Sequence, residues 1–149
     1  MFNKKNILIT GGTGSFGKKY TKTILERFNP NKIIIFSRDE LKQYEMNEIY
    51  NNECMRYFIG DVRDLDRLKQ GMKDVDIVIH GAAVKNVDIT EFNPFETIET
   101  NIQGTMNMIK SAMKHHPKQF INISTDKAVS PSTLYGSTKQ IGEKLIHWA

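Results

Sequence analysis

Two residues with complementary chemistry, Tyr135 and Lys139, stand four positions apart near the carboxyl end of the 149-residue sequence. Residues with this spacing lie on one face of a helix, and an ammonium beside a phenol favours the phenolate. The phenolate can then take a proton from an alcohol while a hydride leaves the same carbon. Ser124 and Thr125, which end a predicted strand, supply hydroxyls that could bond the substrate oxygen. These residues indicate alcohol oxidation, provided that a hydride acceptor binds nearby.

A glycine-rich loop with the sequence TGGTGSFG, from Thr10 to Gly17, offers a site for that acceptor. Gly11 permits a tight turn, Gly14 lets a pyrophosphate approach the backbone, and Gly17 lets the following helix pack against the sheet. The amides at the start of that helix favour an anion. The loop residues predicted to bind a nicotinamide dinucleotide are Gly11, Thr13, Gly14, Ser15, Phe16 and Gly17.

The residues that end the second predicted strand discriminate between NADP and NAD. An acidic residue about 20 positions beyond the glycines binds the ribose of NAD, but here that region holds Ser37 and Arg38. A hydroxyl and a guanidinium suit the 2′-phosphate of NADP. Asp39 and Glu40 are close enough to bind the ribose of NAD, which therefore remains the less favoured alternative. Both residues also suit a helix N-terminus. NADP is therefore the predicted cofactor.

Two further strand ends are expected to contact the cofactor. Asp61 and Val62 follow the third strand, where the adenine would lie, and the small residues Ala82 and Ala83 follow the fourth strand. Tyr135 and Lys139 are also expected to contact the cofactor, because the nicotinamide must reach the reacting carbon.

Short apolar runs alternate with helical periods along the chain, and the runs are apolar throughout, as in strands buried on both faces of a parallel sheet. The predicted fold class is α/β, a Rossmann-type doubly wound parallel sheet. The strands are expected at Asn6–Thr10, Lys32–Phe36, Met55–Ile59, Asp76–His80 and Gln119–Ser124. The helices are expected at Ser15–Phe28, Asp39–Tyr50, Leu65–Met72, Pro94–His115 and Leu134–Trp148.

Residues 1–149 are expected to form one dinucleotide-binding domain. The last predicted helix reaches Ala149 without a Gly, Asn or Pro to end it, and a sixth strand is missing from the expected pattern. We therefore expect a truncated chain that lacks the C-terminal substrate-binding part.

Composition narrows the possible functions. The chain is 39% hydrophobic and 26% charged, with a net charge of +4. No basic block suggests a nucleic-acid partner, and no apolar run suggests a membrane span or secretion signal, so a cytoplasmic protein is expected. The single cysteine, Cys54, excludes an internal disulfide. His80 is expected to be a packed core residue, and His115 and His116 lack further ligands, so no metal site is predicted.

Several stretches together resemble the extended short-chain dehydrogenase/reductase family. They are TGGTGSFG, the HGAA that begins at His80, and Tyr-x-x-x-Lys. FSRDELKQ from Phe36, RYFIGDVRD from Arg56, AAVKNV from Ala82 and STDKA from Ser124 narrow the resemblance. They are similar to the soluble UDP-N-acetylglucosamine 4,6-dehydratases that invert C5 in bacterial surface-glycan biosynthesis. Asn86 and Asp88 depart from that pattern, where histidine and proline are frequent.

The resemblance implies a role for each matching residue. Thr125 would hold the C4 hydroxyl of the UDP-sugar while Tyr135 takes its proton. Lys127 would then abstract the C5 proton, and Asp126 would protonate the leaving C6 hydroxyl. Lys139 would support Tyr135. Lys85, in AAVKNV, would contact the substrate, and a homo-oligomer would be expected.

Two other functions remain open at this stage. One is a nucleotide-sugar epimerase or reductase that has the same cofactor half. The other is a non-catalytic NADP-binding module, which the expected truncation would allow.

Overall fold

The computed structural model describes all residues from 1 to 149 and consists of alternating strands and helices. The strands are β1 (Asn6–Thr10), β2 (Lys32–Ser37), β3 (Met55–Ile59), β4 (Ile77–His80) and β5 (Gln119–Asn122). The α-helices are α1 (Ser15–Arg27), α2 (Glu40–Tyr50), α3 (Leu65–Gly71), α4 (Val87–Phe92), α5 (Pro94–Ile98), α6 (Gly104–His115) and α7 (Leu134–Trp148).

The five strands form one parallel sheet in the order β3-β2-β1-β4-β5. Leu8 in the central strand pairs with Ile34 on one side and Val78 on the other. The strand order reverses direction between β1 and β4, and a crevice opens outside the carboxyl ends of the strands at such a point. The predicted Rossmann-type class is confirmed.

Two apolar clusters cover the two faces of the sheet, because successive side chains of a strand point to opposite faces. One contains Ile7, Ile9 and Ile35, and the other contains Leu8, Phe36 and Val78. β1 and β4 are buried almost throughout, as their unbroken apolar runs predict. The edge strands β3 and β5 are partly exposed, since each has only one neighbouring strand.

The region between β4 and β5 departs most from the predicted elements. Instead of one helix over Pro94–His115, a π-helical segment at Glu99–Gln103 separates α5 from α6. The short helix α4 and a 3₁₀ turn at Asp126–Ala128 were not predicted, and β5 ends at Asn122 rather than Ser124. Short polar helices lack a periodic apolar face long enough to be recognised.

Elsewhere the predicted helices begin and end within about one residue of those observed. Asp39 precedes α2 and its side chain accepts a hydrogen bond from the Lys42 amide, and Asp64 does the same for Arg67 at α3. Thr133 accepts from Gly136 at the start of α7. No helix is both long enough and apolar enough to cross a bilayer.

Candidate functional site

A cavity of about 340 Å³ opens at the carboxyl ends of β1 to β4. It lies where the strand order reverses, the usual ligand position in open α/β sheets. Its lining is polar and charged over much of its length. The lining residues are Gly11, Thr13, Gly14, Ser15, Phe16, Phe36, Ser37, Arg38, Asp39, Lys42, Gly60, Asp61, Val62, Gly81, Ala82, Ala83, Lys85 and Thr100.

The glycine loop forms one end of this cavity. Gly11 has φ +66°, and a Cβ there would lie 2.9 Å from the backbone of Ala82. A side chain is therefore excluded both by conformation and by the neighbouring loop. Gly17 does not line the cavity, and a Cβ on it would lie 2.3 Å from the Gly12 carbonyl oxygen. Its predicted role in close helix packing agrees with this contact.

The N-terminus of α1 differs from those of α2, α3 and α7 in having no side-chain cap. Gly14 occupies the cap position, and the first turn holds no acidic residue. The first amides of a helix need acceptors, and a phosphate at this position would supply them together with favourable dipole electrostatics. The donors present thus fit a dinucleotide pyrophosphate.

Cations and carboxylates alternate at the other end of the cavity. Arg38 Nη1 lies 3.6 Å from Asp61 Oδ2, and this ion pair is the only contact of the guanidinium with an acid. Asp61 Oδ2 also accepts hydrogen bonds from Arg63 Nη2 at 2.8 Å and Nε at 3.0 Å. Burial alone would raise the pKa of Asp61, but the hydrogen bonds of Arg63 and the charges of Arg63 and Arg38 outweigh it and lower the pKa. Asp61 is therefore a fixed anion that orients two arginines.

Asp39 and Lys42 complete this end. The Asp39 carboxylate accepts the Lys42 amide at 3.0 Å and lies 2.9 Å from Lys42 Nζ. These contacts, the backbone hydrogen bond first, lower the pKa of Asp39. Asp39 thus serves the start of α2, as expected from the sequence. Lys42, in the first turn of α2, was not predicted to line the cavity.

His80 is a fully buried part of the scaffold behind the cavity. Its Nδ1 lies 2.7 Å from Thr10 Oγ1 and its Nε2 lies 3.1 Å from Thr105 Oγ1. Thr105 gives its hydroxyl hydrogen to the Asn101 carbonyl, so it must accept from His80 Nε2–H, which leaves Nδ1 to accept from Thr10. Burial first, and the charge of Lys139 second, lower the pKa of His80 to about 3. The ring is neutral, as the predicted core role requires.

Thr10 extends this network to the cofactor rim, because its oxygen accepts from the Ala82 amide at 3.3 Å. The buried histidine thereby fixes the start of the Ala82–Lys85 loop. The network uses every polar atom of the imidazole.

Three buried amide side chains hold the loops that follow the strands, and sequence analysis had identified none of them. Gln43 donates to Ser37 and Phe58 at the ends of β2 and β3. Asn107 donates to the carbonyls of Val62 at 3.1 Å and Arg63 at 2.9 Å.

Asn101, in the π-helical segment, is the third amide. It accepts from the Val84 amide at 2.8 Å and donates to the Val84 carbonyl at 2.9 Å and to Thr138 Oγ1 at 3.1 Å. Thr138 in turn donates to the Tyr135 carbonyl. Asn101 therefore connects the cavity rim to the helix turn that carries Tyr135.

Tyr135 and Lys139 lie on the first turns of α7, outside the lining of the 340 Å³ cavity. Lys139 is only 8% exposed. Burial lowers its pKa, and the charge of Glu143, one turn later, opposes that effect. Glu143 also accepts a hydrogen bond from the Ser124 hydroxyl. The segment that follows β5 is thus attached to α7 beside the buried ammonium.

The turn that contains Thr125, Asp126 and Lys127 packs against the start of α7. A Cβ on Gly136 would lie 2.2 Å from the Lys127 carbonyl oxygen, so the close approach needs glycine there. The predicted catalytic residues of the turn are consequently brought next to Tyr135 along the backbone.

The side chains of this turn are open to solvent, which differs from the burial that paired acid–base chemistry calls for. Asp126 is 88% exposed and Lys127 is 51% exposed, with 3.6 Å between Nζ and Oδ1. The Thr125 hydroxyl donates to Asp126 at 3.0 Å. This hydrogen bond first, and the charge of Lys127 second, lower the pKa of Asp126, whereas an acid catalyst needs a raised one.

The positions of the predicted site residues divide into two groups. The predicted residues that line the cavity are Gly11, Thr13, Gly14, Ser15, Phe16, Ser37, Arg38, Asp61, Val62, Ala82, Ala83 and Lys85. Gly17 packs behind it, and Thr125, Asp126, Lys127, Tyr135 and Lys139 gather around the start of α7.

A Rossmann-type sheet with this glycine loop and a Tyr-Lys pair is typical of extended short-chain dehydrogenase/reductases. The chain belongs to the family of polysaccharide biosynthesis proteins, whose sequence model matches residues 7–149.

Named relatives agree with that assignment. A UDP-N-acetylglucosamine 4,6-dehydratase (inverting) from Campylobacter jejuni subsp. jejuni is 62% identical over 146 residues, which are 98% of this chain and 44% of the relative. A UDP-glucose 4-epimerase from Rickettsia bellii is 46% identical over 97% of this chain and 43% of its own. The X-ray structure of Pen from Bacillus thuringiensis superposes with a TM-score of 0.94 at 42% identity, covering 98% of this chain and 45% of that one. The chain thus spans less than half the length of these relatives.

Proposed function

We propose that this chain is the NADP-binding domain of a UDP-N-acetylglucosamine 4,6-dehydratase. One observation carries the proposal: the phosphate-binding loop and the Thr125–Lys127 and Tyr135–Lys139 groups lie at the same end of one sheet, in a chain 62% identical to such an enzyme. The remaining part of the complete protein would supply most of the sugar-nucleotide pocket.

NADP is the proposed cofactor because the ribose end of the cavity presents cations without a free acid. Arg38 and Lys42 line that end, and the two carboxylates there, Asp61 and Asp39, are already paired with cations. Asp39 caps α2, and Asp61 accepts from Arg63. An acid that is to bind the ribose of NAD would need to be available as an acceptor.

The glycine loop, Ser37 and Arg38 would hold the dinucleotide, which would supply reversible hydride transfer at C4 and C6 of the sugar. Tyr135 takes the proton of the C4 hydroxyl, and the charge of the neighbouring Lys139 stabilises the phenolate. Thr125 holds the oxygen of the same hydroxyl by donating to it, because Tyr135 takes that hydroxyl's only hydrogen. With sugar bound, Thr125 would therefore exchange its hydrogen bond to Asp126 for one to the substrate. Asn101 acts indirectly by holding the α7 turn against the cofactor rim.

The C4 ketone acidifies the C5 proton, which Lys127 removes as base. Asp126 protonates the departing C6 hydroxyl, so that one water leaves. Hydride supplied to C6 would leave an enolate that takes a proton from solvent at C5, so that the net reaction would be a dehydration without consumption of the dinucleotide. We propose inversion at C5, by analogy with the named function of the Campylobacter relative. Lys85, which lines the cavity beyond Ala83, contacts the substrate.

The complete protein is further proposed to form homo-oligomers. Phe92 is 85% exposed and Phe95 is 83% exposed, on adjoining short helices. Large apolar side chains that stand together on a surface are typical of interaction sites. The cytoplasmic location and the absence of a nucleic-acid partner stay predictions.

The test is to incubate the complete protein with UDP-N-acetylglucosamine and no added cofactor, and to follow the products by mass spectrometry and NMR. The expected product has lost one water and carries a C4 ketone and a C6 methyl group. A product of unchanged mass with the opposite C4 configuration would instead support an epimerase, which the Rickettsia relative favours. NADP binding with no change in any UDP-sugar would support a non-catalytic module.

A further inference from the structure

Gln43 lies beneath the ribose end of the cavity, where β2 and β3 finish. It belongs to the first turn of α2, is only 4% exposed, and does not itself line the cavity. Its Nε2 lies 3.0 Å from Ser37 Oγ, 3.2 Å from the carbonyl oxygens of Ser37 and Phe58, and 3.5 Å from that of Ile35.

Hydrogen-bond chemistry fixes the orientation of this amide. Three of the four surrounding atoms are carbonyl oxygens, which can only accept, so the Gln43 side chain must turn its NH₂ group toward them. An amide nitrogen donates and does not accept. The Ser37 oxygen is therefore the acceptor in the shortest contact, and its own hydrogen stays free.

That hydrogen is available to the proposed cofactor site, because Ser37 lines the cavity. Ser37 lines the cavity beside Arg38, and its hydroxyl donates to no acceptor within the protein. A hydroxyl held in this way offers a donor, and phosphate oxygens are acceptors. A ribose hydroxyl can also accept, but a phosphate gains more because the hydrogen bond is charge-assisted.

We infer that Gln43 is a positioning residue for cofactor specificity, which fixes the Ser37 hydroxyl as a donor to the 2′-phosphate of NADP. The inference rests on the proposed function, because it assumes that NADP binds in the cavity. It adds a buried residue that touches no cofactor but sets the direction of a hydrogen bond to it. The competing role is structural, with Gln43 joining the ends of β2 and β3.

A double-mutant cycle separates the two roles, because residues that act through one hydrogen bond have non-additive effects. Gln43→Met keeps the length of the side chain and removes both donors, and Ser37→Ala removes the hydroxyl. Kd values for NADP and NAD are measured by calorimetry on the native chain, both single variants and the double variant, with a melting curve for each.

Ser37→Ala is expected to weaken NADP binding about tenfold, the usual effect of losing one hydrogen bond to a charged group. It is expected to weaken NAD binding less than about twofold. Gln43→Met is expected to weaken NADP severalfold, and the double variant to bind NADP no worse than Ser37→Ala. Asn107→Leu is the matched control, since it also removes a buried amide beneath the cavity. It is expected to weaken both cofactors equally.

The inference is overturned if the effects of Gln43→Met and Ser37→Ala on the NADP Kd multiply in the double variant. It is also overturned if Gln43→Met weakens the binding of NADP and NAD equally. Either result leaves the proposed cofactor intact. If Gln43→Met fails to fold, Ser37→Ala decides the matter alone, because an unchanged NADP-to-NAD ratio in that variant refutes the donor role. A native chain without any preference for NADP would instead overturn the cofactor proposal, and the inference with it.

Discussion

The buried imidazole of His80 should make the stability of this domain fall in mildly acidic solution. Its pKa is lowered to about 3 in the folded chain, against about 6.5 in an unfolded one. The neutral ring gives its Nε2 hydrogen to Thr105 and accepts from Thr10. Protonation would add a hydrogen to Nδ1, which would then face the Thr10 hydroxyl hydrogen that the neutral ring accepts. The hydrogen bond from Nε2–H to Thr105 would stay as it is.

The sign follows from proton binding. A group whose pKa is lower in the folded state binds more protons when unfolded, so stability increases with pH over the interval between the two pKa values. The contribution of His80 is complete above about pH 6.5 and is lost progressively toward pH 3. Each pH unit in this interval costs about 1.4 kcal/mol, which amounts to about 2 kcal/mol at pH 5 relative to pH 7.5.

Urea unfolding at pH 7.5 and pH 5 measures this loss directly. His80→Gln removes the titrating group and is expected to be less stable at pH 7.5 by roughly 1–3 kcal/mol, because buried hydrogen bonds are disturbed. Its free energy of unfolding should change less between the two pH values than that of the native chain. His147→Gln, which removes an exposed histidine, is the control and should behave like the native chain. Equal pH dependence in His80→Gln and the native chain would refute the reasoning.

Three further changes test the cofactor and catalytic groups. Arg38→Ala should weaken NADP binding about tenfold by removing a charge-assisted hydrogen bond, and should change the affinity for NAD by less than about twofold. Calorimetry measures both Kd values, and equal losses of affinity would contradict this prediction. Gly11→Ala should destabilise the chain by about 1–2 kcal/mol in thermal melts, because φ is +66°. Gly14→Ala, with φ −75°, should keep the stability yet weaken the cofactor. Lys127→Ala in the complete protein should abolish water loss and keep the NADP Kd, whereas full turnover would reject its role.

The predicted residues that line the cavity belong to short segments whose neighbours in the sequence determine their position. The TGGTGSFG loop follows an apolar strand directly, so its position at the strand end needs no tertiary information. Ser37 and Arg38 were identified in the same way, by counting from the glycines to the end of β2. Parallel strands bring all such strand ends to one edge of the sheet.

The parts that sequence analysis missed depend on contacts between distant segments. Asn107 bonds to Val62 across 45 positions, and Asn101 bonds to Thr138 across 37. An asparagine within a helical period carries no local sign of its partner, and the π-helical segment around Asn101 leaves the apolar period almost unchanged. His80 was correctly predicted as a core residue, yet its bonds to Thr10 and Thr105 come only from packing.

The two halves of the site differ in how far this chain completes them. The cofactor half is formed by buried groups with fixed partners, such as Gln43, Asn107 and the Asp61 carboxylate. The proposed acid and base, Asp126 and Lys127, are exposed, and the pKa of Asp126 lies below its usual range. An acid that donates near neutral pH needs a raised pKa, and exclusion of water is the general means of raising a carboxyl's pKa. The proposed role of Asp126 therefore requires that sugar and the rest of the complete protein cover the Thr125–Lys127 turn before C–O cleavage. The proposed cofactor site, by contrast, is a cavity lined by residues of this chain.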